Sequence, residues 1–143
     1  MSLTTLPVPS ELVFTCRFSH SQMTVHSQVG YKLLVAEAME TDGSLFLNGP
    51  QAKQLSFLKD IPNVYWFSRL NVPRNLRRFG YGRQLLKTFL SLADVHNATI
   101  VCFPSPSDPN LSLADLVGFY VKYGMTIVET EDILVYHPNT RKT

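Results

Sequence analysis

The chain has 143 residues, of which 45% are hydrophobic and 17% charged, with a formal net charge of +2. That composition fits one packed globular domain and excludes both a disordered chain and a general polyanion binder. No apolar run approaches the length of a membrane span, and the opening Met1-Ser-Leu-Thr-Thr-Leu-Pro lacks a basic and an apolar leader region, so neither insertion nor secretion is expected and the expected location is cytoplasmic.

After a Pro-containing arm, residues 11–18 alternate, with Leu12, Phe14, Cys16 and Phe18 on one face, which predicts a half-buried strand. A polar turn at residues 19–22 leads to a weaker strand carrying Met23, Val25 and Val29, and residues 31–39 form a third. Thr41-Asp42-Gly43 signals a hairpin into residues 44–47, and Asn48-Gly49-Pro50 breaks the chain before a short helix over 51–59. Residues 64–72 are aromatic and apolar and read as a central strand. From Gly82 the residues Leu85, Leu86, Phe89, Leu90 and Ala93 follow helical spacing along one core face. Residues 98–103 make a short strand, apolar on both faces and stopped by Pro104. Ser112 with Asp115 predicts a helix start, and Gly124 its end. Residues 125–129 and 133–136 are two last strands joined by Thr130-Glu131-Asp132.

The two cysteines, Cys16 and Cys102, lie in strand-like runs and read as buried reduced thiols. His20, His26, His96 and His137 show no ligand spacing, so no metal is expected. Charge is unevenly spread: no acidic residue lies between Asp60 and Asp94, while Arg69, Arg74, Arg77, Arg78, Arg83 and Lys87 do. That local positive region suits a ligand with several phosphates.

At its centre stands Val72-Pro-Arg-Asn-Leu-Arg-Arg-Phe-Gly-Tyr-Gly82, a strand end, a basic loop and two alternating glycines ahead of an amphipathic helix. Glycines admit close approach of backbone N–H groups to an anion, and the helix start adds further N–H groups and partial positive charge. No Gly-Lys-Ser or Gly-Lys-Thr follows, and Leu85 stands where a dinucleotide fingerprint has its third glycine, so neither of those phosphate loops is present.

This segment resembles motif A of the GNAT superfamily of N-acyltransferases, with Arg77, Gly80 and Gly82 filling the pattern and Val72 at the usual distance upstream. Gly118-Phe-Tyr-Val-Lys-Tyr-Gly-Met125 resembles motif B of the same family, in the right order after an intervening strand. The resemblance spans about residues 64–136 and implies a mixed α/β, α+β fold: a mostly antiparallel central sheet, a splayed strand pair at the cofactor site, and flanking helices. One GNAT-like domain over 1–143 follows, with a variable acceptor side over about 1–60. There Ser19–Gly30 is short and strand-like where the family usually has one or two helices.

The implied activity is direct transfer of an acyl group, most often acetyl, from acetyl-coenzyme A to an amine. By motif position, the backbone around Arg77, Arg78, Phe79, Gly80, Tyr81 and Gly82 would take the pyrophosphate, and Leu70 and Val72 would pair with the pantetheine arm, with the thioester carbonyl near the Leu70 amide. Tyr120 holds the place of the family's general acid, with Tyr123 in reserve. The strand carboxylate that often serves as base is absent from Tyr65-Trp-Phe-Ser-Arg-Leu-Asn71, leaving Glu37, Glu40, His26 or a water relay. Leu113 replaces a common Asn, with Asn110 and Ser112 as polar neighbours.

Two other classes fit the residues. One is a coenzyme A-binding module on the same fold without the acceptor chemistry. The other is a nucleic-acid binder using the Arg69–Lys87 region with Tyr65, Trp66, Phe79 and Tyr81 as stacking groups, which the neutral charge balance elsewhere disfavours. The acceptor is an amine on a small molecule, peptide or protein, no membrane partner is expected, and the chain is a monomer or homodimer.

Overall fold

A computed structural model describes residues 8, 11–19, 21–41, 52–73, 76, 80–106, 111–128 and 130–138. In chain order the elements are β1 (Thr15–Ser19), β2 (Gln22–Val29), β3 (Lys32–Thr41), α1 (Ala52–Leu55) running into a 3-10 turn (Ser56–Asp60), β4 (Val64–Asn71), α2 (Tyr81–Val95), β5 (Thr99–Cys102), α3 (Leu113–Lys122), β6 (Thr126–Val128) and β7 (Thr130–Tyr136). The strands form one mixed sheet in the order β1-β2-β3-β4-β5-β7-β6, antiparallel except for β4 and β5. No helix among the described residues is long and apolar enough to cross a membrane.

Alternation along the strands sorts side chains between two faces. One face carries Met23, Val25, Leu34, Ala36, Ala38, Tyr65 and Phe67 against Leu85, Leu86 and Phe89 of α2 and Val117 and Tyr120 of α3. Phe67 stacks on Phe89 with ring centroids 4.7 Å apart and meets Tyr120 edge-on at 6.0 Å, so one strand residue joins both helices. Truncating a core aromatic of this kind costs about 3–5 kcal/mol, a large part of a domain's usual stability of about 5–15 kcal/mol. The other face is covered over β4, β5 and β7 by Leu55 and Leu58, which pack with Val64, Val101, Ile133 and Val135.

Both long helices end the same way. Asn97 (φ 53°) and Gly124 (φ 121°) take left-handed conformations just past the helix ends. Ala98 N–H bonds to Ala93 C=O, and Met125 N–H to Tyr120 C=O, closing the last turns and directing the chain into the next strand. A Cβ on Gly124 would lie 3.2 Å from the Tyr136 ring, a second reason for glycine there. At its other end α3 is closed by a reciprocal cap, Asp115 N–H to Ser112 Oγ at 3.0 Å with the Asp115 carboxylate accepting from the Ser112 N–H.

Three expectations need correction. Cys16 is exposed, because β1 is an edge strand; of that run Leu12 and Phe14 pack on the core, and Phe18, partly exposed, stacks on His96 at 3.7 Å and lies 5.7 Å from the Tyr65 ring. Thr130 to Asp132 are not a connecting loop but the first residues of β7, which pairs back on Val128. Ser112 is engaged in its helix cap and is not a polar group awaiting a substrate. The hairpin expected at residues 41–47 lies mostly outside the described residues.

A local irregularity was not visible as a motif. Glu37 pairs with Arg69 and Ala38 with Phe67, so Ser68 is an extra residue, a bulge on β4. Its effect is to reset the alternation. Tyr65 and Phe67 face the helices, and after the bulge Leu70 and Val72, rather than Arg69 and Asn71, pack on that side. Deleting Ser68 would restore one-to-one pairing with β3 while leaving every side chain on its present face. The deletion variant is therefore expected to fold cooperatively, with a melting temperature within about 4 °C of the parent, the shift of roughly 1 kcal/mol. A lost unfolding transition in calorimetry would show that the fold itself requires the bulge.

Candidate functional site

β4 is the strand on which the site is built. Its parallel pairing with β5 covers three positions, Val64 with Thr99, Tyr65 with Ile100 and Trp66 with Val101. β5 ends at Cys102, whereas β4 runs on to Asn71. From Phe67 onward, β4 is thus paired on its β3 side, and its pairing with β5 has ended. The bulge at Ser68 falls at the start of that stretch.

The strand leads to the glycine turn. Gly80 is the N-cap of α2 with φ 88° and ψ 3°, a left-handed conformation that glycine adopts without the usual side-chain penalty. Gly80 provides no side-chain cap, and among the described residues no acidic residue sits in the first turn, in contrast to the reciprocal cap of α3. An α-helix leaves its first N–H groups without intrahelical acceptors, so the uncapped end of this 15-residue helix is suited to an anion. Arg83 lies in its first turn and Lys87 one turn on, both exposed. Arg77, Arg78, Phe79 and Arg74 lie outside the described residues.

At Gly82, glycine is required neither by backbone conformation nor by a clash. A Cβ there would meet Val72 Cγ2 at 3.5 Å and Phe119 Cζ at 4.0 Å, ordinary contact distances. The residue brings the end of β4, the start of α2 and the middle of α3 together. Alanine fits that space, whereas the branches of valine press on Val72 and Phe119. Gly82→Val consequently perturbs packing as well as any anion contact.

Tyr120 projects from α3 into the helix-side core beside the point where β4 and β5 part. It is buried, near the thiol of Cys102, the last residue of β5. Burial, then the neighbouring Cys102, raise its phenol well above the usual range, so it carries its proton at neutral pH. Burial likewise pushes the Cys102 thiol up to about 12, offset in part by the neighbouring Tyr120. Tyr123, at the end of α3, is only half-buried and lies edge-on to Phe119 at 5.3 Å.

The three candidates for a base separate by position. His26 is on β2 between Thr15 and Val35, two strands from β4. It lines a groove of about 570 Å³ with Glu11, Thr15, Gln28 and Leu33, at the far side of the sheet. Glu40 is opposite Tyr65 near the start of β4, accepts from Ser21 Oγ at 2.6 Å and is hydrogen-bonded with Tyr65. Glu37 pairs with Arg69 beside the bulge, with its carboxylate 3.9 Å from the guanidinium, and Ser68 Oγ donates to its carbonyl at 3.2 Å. Since Ala36 and Ala38 face the helices, Glu37 faces the opposite side of the sheet from Tyr120.

No family model, curated protein or solved structure matches the chain.

For the stacking groups of a nucleic-acid binder the geometry is unfavourable. Tyr65 and Tyr81 are buried in the core, and of the four aromatics named only Trp66 is exposed among the described residues. Base stacking needs open ring faces.

The two thiols should differ sharply in reactivity. Exposed Cys16 should react with a thiol reagent at pH 8 within the dead time of unfolding, while Cys102 should react only as the chain unfolds. The sign of the pH effect follows from the same shift. The unfolded thiol releases its proton near 9, and the folded one keeps it to about 12. Between those values the folded state binds more protons, so stability falls as pH rises. Denaturant midpoints measured from pH 8 to 12 should decline, and less steeply in Cys102→Ala. An equal slope in both proteins would remove Cys102 from the effect.

Proposed function

We propose that the chain is an acyl-coenzyme A-dependent N-acyltransferase that moves an acetyl group from acetyl-coenzyme A to an amine by direct transfer. One observation carries the reading: a parallel pairing of β4 with β5 that covers only three residues, with the longer strand leading to a helix start at Gly80 that offers no side-chain cap. The stretch of β4 beyond that pairing leaves backbone groups on its β5 side for an extended amide-bearing arm, and the helix start suits a pyrophosphate. Those two requirements belong to one elongated ligand, and the order of the motifs puts both along a single segment.

When bound, the acyl donor supplies an activated thioester. The residues of this chain do the remaining work. Leu70 and Val72 form the apolar floor on the helix side of β4. The backbone N–H of Leu70, past the bulge, donates to the carbonyl oxygen in this reading as charge develops there. Tyr120, protonated at neutral pH, donates to the departing sulfur. Glu37 is the carboxylate next to the free stretch of β4, on the open side of the strand, and takes the amine proton directly or through water. The amine nitrogen forms the C–N bond, the C–S bond breaks with its electron pair leaving on sulfur, and the proton lost by the amine balances the one gained by the thiol. The products are an amide and free coenzyme A.

Acetyl-coenzyme A at about 100 times its dissociation constant should stabilise the chain by about 2.7 kcal/mol. A melting temperature unchanged at saturating concentrations would sink the proposal. Gly82→Ala should bind nearly as the parent does, and Gly82→Val much more weakly; deletion of Ser68 should fold yet lose binding or turnover, since it straightens the strand at the thioester. Tyr120→Phe keeps the ring and removes the donor. It should lower turnover by a factor on the order of 100 with little change in acetyl-coenzyme A affinity, measured by release of free thiol on an active acceptor amine. Equal turnover in the two would transfer the role to Tyr123 or solvent.

A further inference from the structure

We infer that β1 is the interface of a homodimer: its open edge pairs antiparallel with β1 of a second copy about a two-fold axis through Cys16, joining two sheets into one. The inference is independent of the acyltransferase reading, since no residue given a role there lies on β1.

Among the described residues β1 stands at one end of the sheet and pairs only with β2. The two-residue turn between Ser19 and Gln22 makes those two a hydrogen-bonded pair, and bonded pairs alternate along an antiparallel ladder. Arg17 and Thr15 are therefore bonded to Thr24 and His26, while the N–H and C=O groups of Cys16 and Phe18 point outward. The bond from the Glu40 N–H to the Ser21 C=O agrees with this phase, because it turns Ser21 toward β3 and hence Gln22 toward β1.

Natural sheet edges are blunted by proline, lysine, a bulge or short length. The opposite edge, β6, is three residues long with an irregular register. β1 has no proline or lysine in Thr-Cys-Arg-Phe-Ser, keeps one-to-one register with β2, and is exposed from Thr15 to Phe18. Such an edge is a template for a further strand.

The sequence about Cys16 selects a second copy as that strand. Phe14-Thr15-Cys16-Arg17-Phe18 has a Phe at equal distance on either side of Cys16. With the axis at Cys16 the outward-bonding residues meet one another: Cys16 opposes Cys16, and each Phe14 opposes Phe18 of the other copy. Aromatic cross-strand pairs stabilise an antiparallel ladder, and the two-fold axis supplies the pair twice. Both rings are already held by their own core, since Phe14 packs on the helix side and Phe18 stacks on His96 at 3.7 Å. A register that pairs Cys16 with Phe18 instead puts Arg17 opposite Arg17, two like charges with Cα atoms about 4.5 Å apart. The axis at Cys16 avoids this by setting each Arg17 against Thr15.

Sedimentation under reducing conditions from about 1 μM to about 1 mM should show a monomer–dimer equilibrium. Thr15→Glu places a carboxylate opposite each Arg17 and should tighten the dimer, and Thr15→Lys should loosen it, each by roughly 2- to 30-fold for two charge pairs. Cys16→Pro removes an outward N–H and spares the β1–β2 bonds, so it should give a folded monomer. The register is read by oxidation with copper phenanthroline, since opposed Cys16 residues with Cα atoms about 5.5 Å apart lie within disulfide range. The parent should form a disulfide-linked dimer. In a Cys16→Ser background Arg17→Cys alone should not cross-link, whereas Thr15→Cys together with Arg17→Cys should. A chain that sediments as a monomer throughout overturns the inference and leaves the edge to a foreign strand. A dimer with the same dissociation constant in both Thr15 variants lies on another surface and overturns it as well. If Cys16→Pro does not fold, the opposed shifts of the two Thr15 variants decide.

Discussion

An inner strand needs hydrogen-bond partners along two edges, and among the described residues β4 has strand partners on both only from Val64 to Trp66. Beyond that the strand is carried by β3 alone on one side and by side-chain packing beneath. Phe67, stacked between the two helices' aromatics, is what keeps the strand in place as its second edge opens. The position of α2 follows from it, because Phe89 and the glycine turn are fixed relative to Phe67. So does the position of α3, since Tyr120 meets the same ring. Opening a sheet at one edge without losing the strand requires such a pin, and here the pin and the candidate proton donor touch.

The bulge at Ser68 and the parting of β5 are separate devices acting on opposite edges of one strand. The bulge turns Leu70 and Val72 toward the helices and leaves Arg69 and Asn71 outside. Parting frees the backbone on the other edge. Together they produce a strand whose last four residues have an apolar inner face, a polar outer face and an available edge. Glu37 and Tyr120 then flank it from the two sides of the sheet.

Much of this architecture was legible in the residues. The period of Leu85, Leu86, Phe89, Leu90 and Ala93 from Gly82 located the start of α2 to within a residue, and Ser112 with Asp115 and Gly124 located both ends of α3, because caps and amphipathic spacing are local properties. Val64 to Val72 read as a central strand because little else tolerates so many aromatics in succession. What could not be read depended on partners distant in sequence. The exposure of Cys16 follows from β1 lying at the sheet edge, which alternation alone does not reveal. The bulge requires knowing which β3 residue each β4 residue faces. The nearness of Tyr120 to Cys102 joins two elements whose only link is the shape of the sheet. Of the motif A glycines, the structure accounts for Gly80 through its backbone conformation, while Gly82 has room for a Cβ at ordinary contact distances.

β7 lies between β5 and β6, so the edge of β5 away from β4 finds its partner only when Thr130–Tyr136 arrives. Until then a four-residue, fully buried strand has one incomplete parallel neighbour and an open side. Assembly of this half of the sheet is therefore a late event in folding, governed by contacts between residues far apart along the chain. A chain emerging from the ribosome carries β5 as an exposed apolar edge through the synthesis of α3 and β6, and that interval is when it is most open to pairing with another copy. The Tyr136–Asp94 bond fastens β7 to the end of α2, so that β7 once paired is held by a helix as well as by β5.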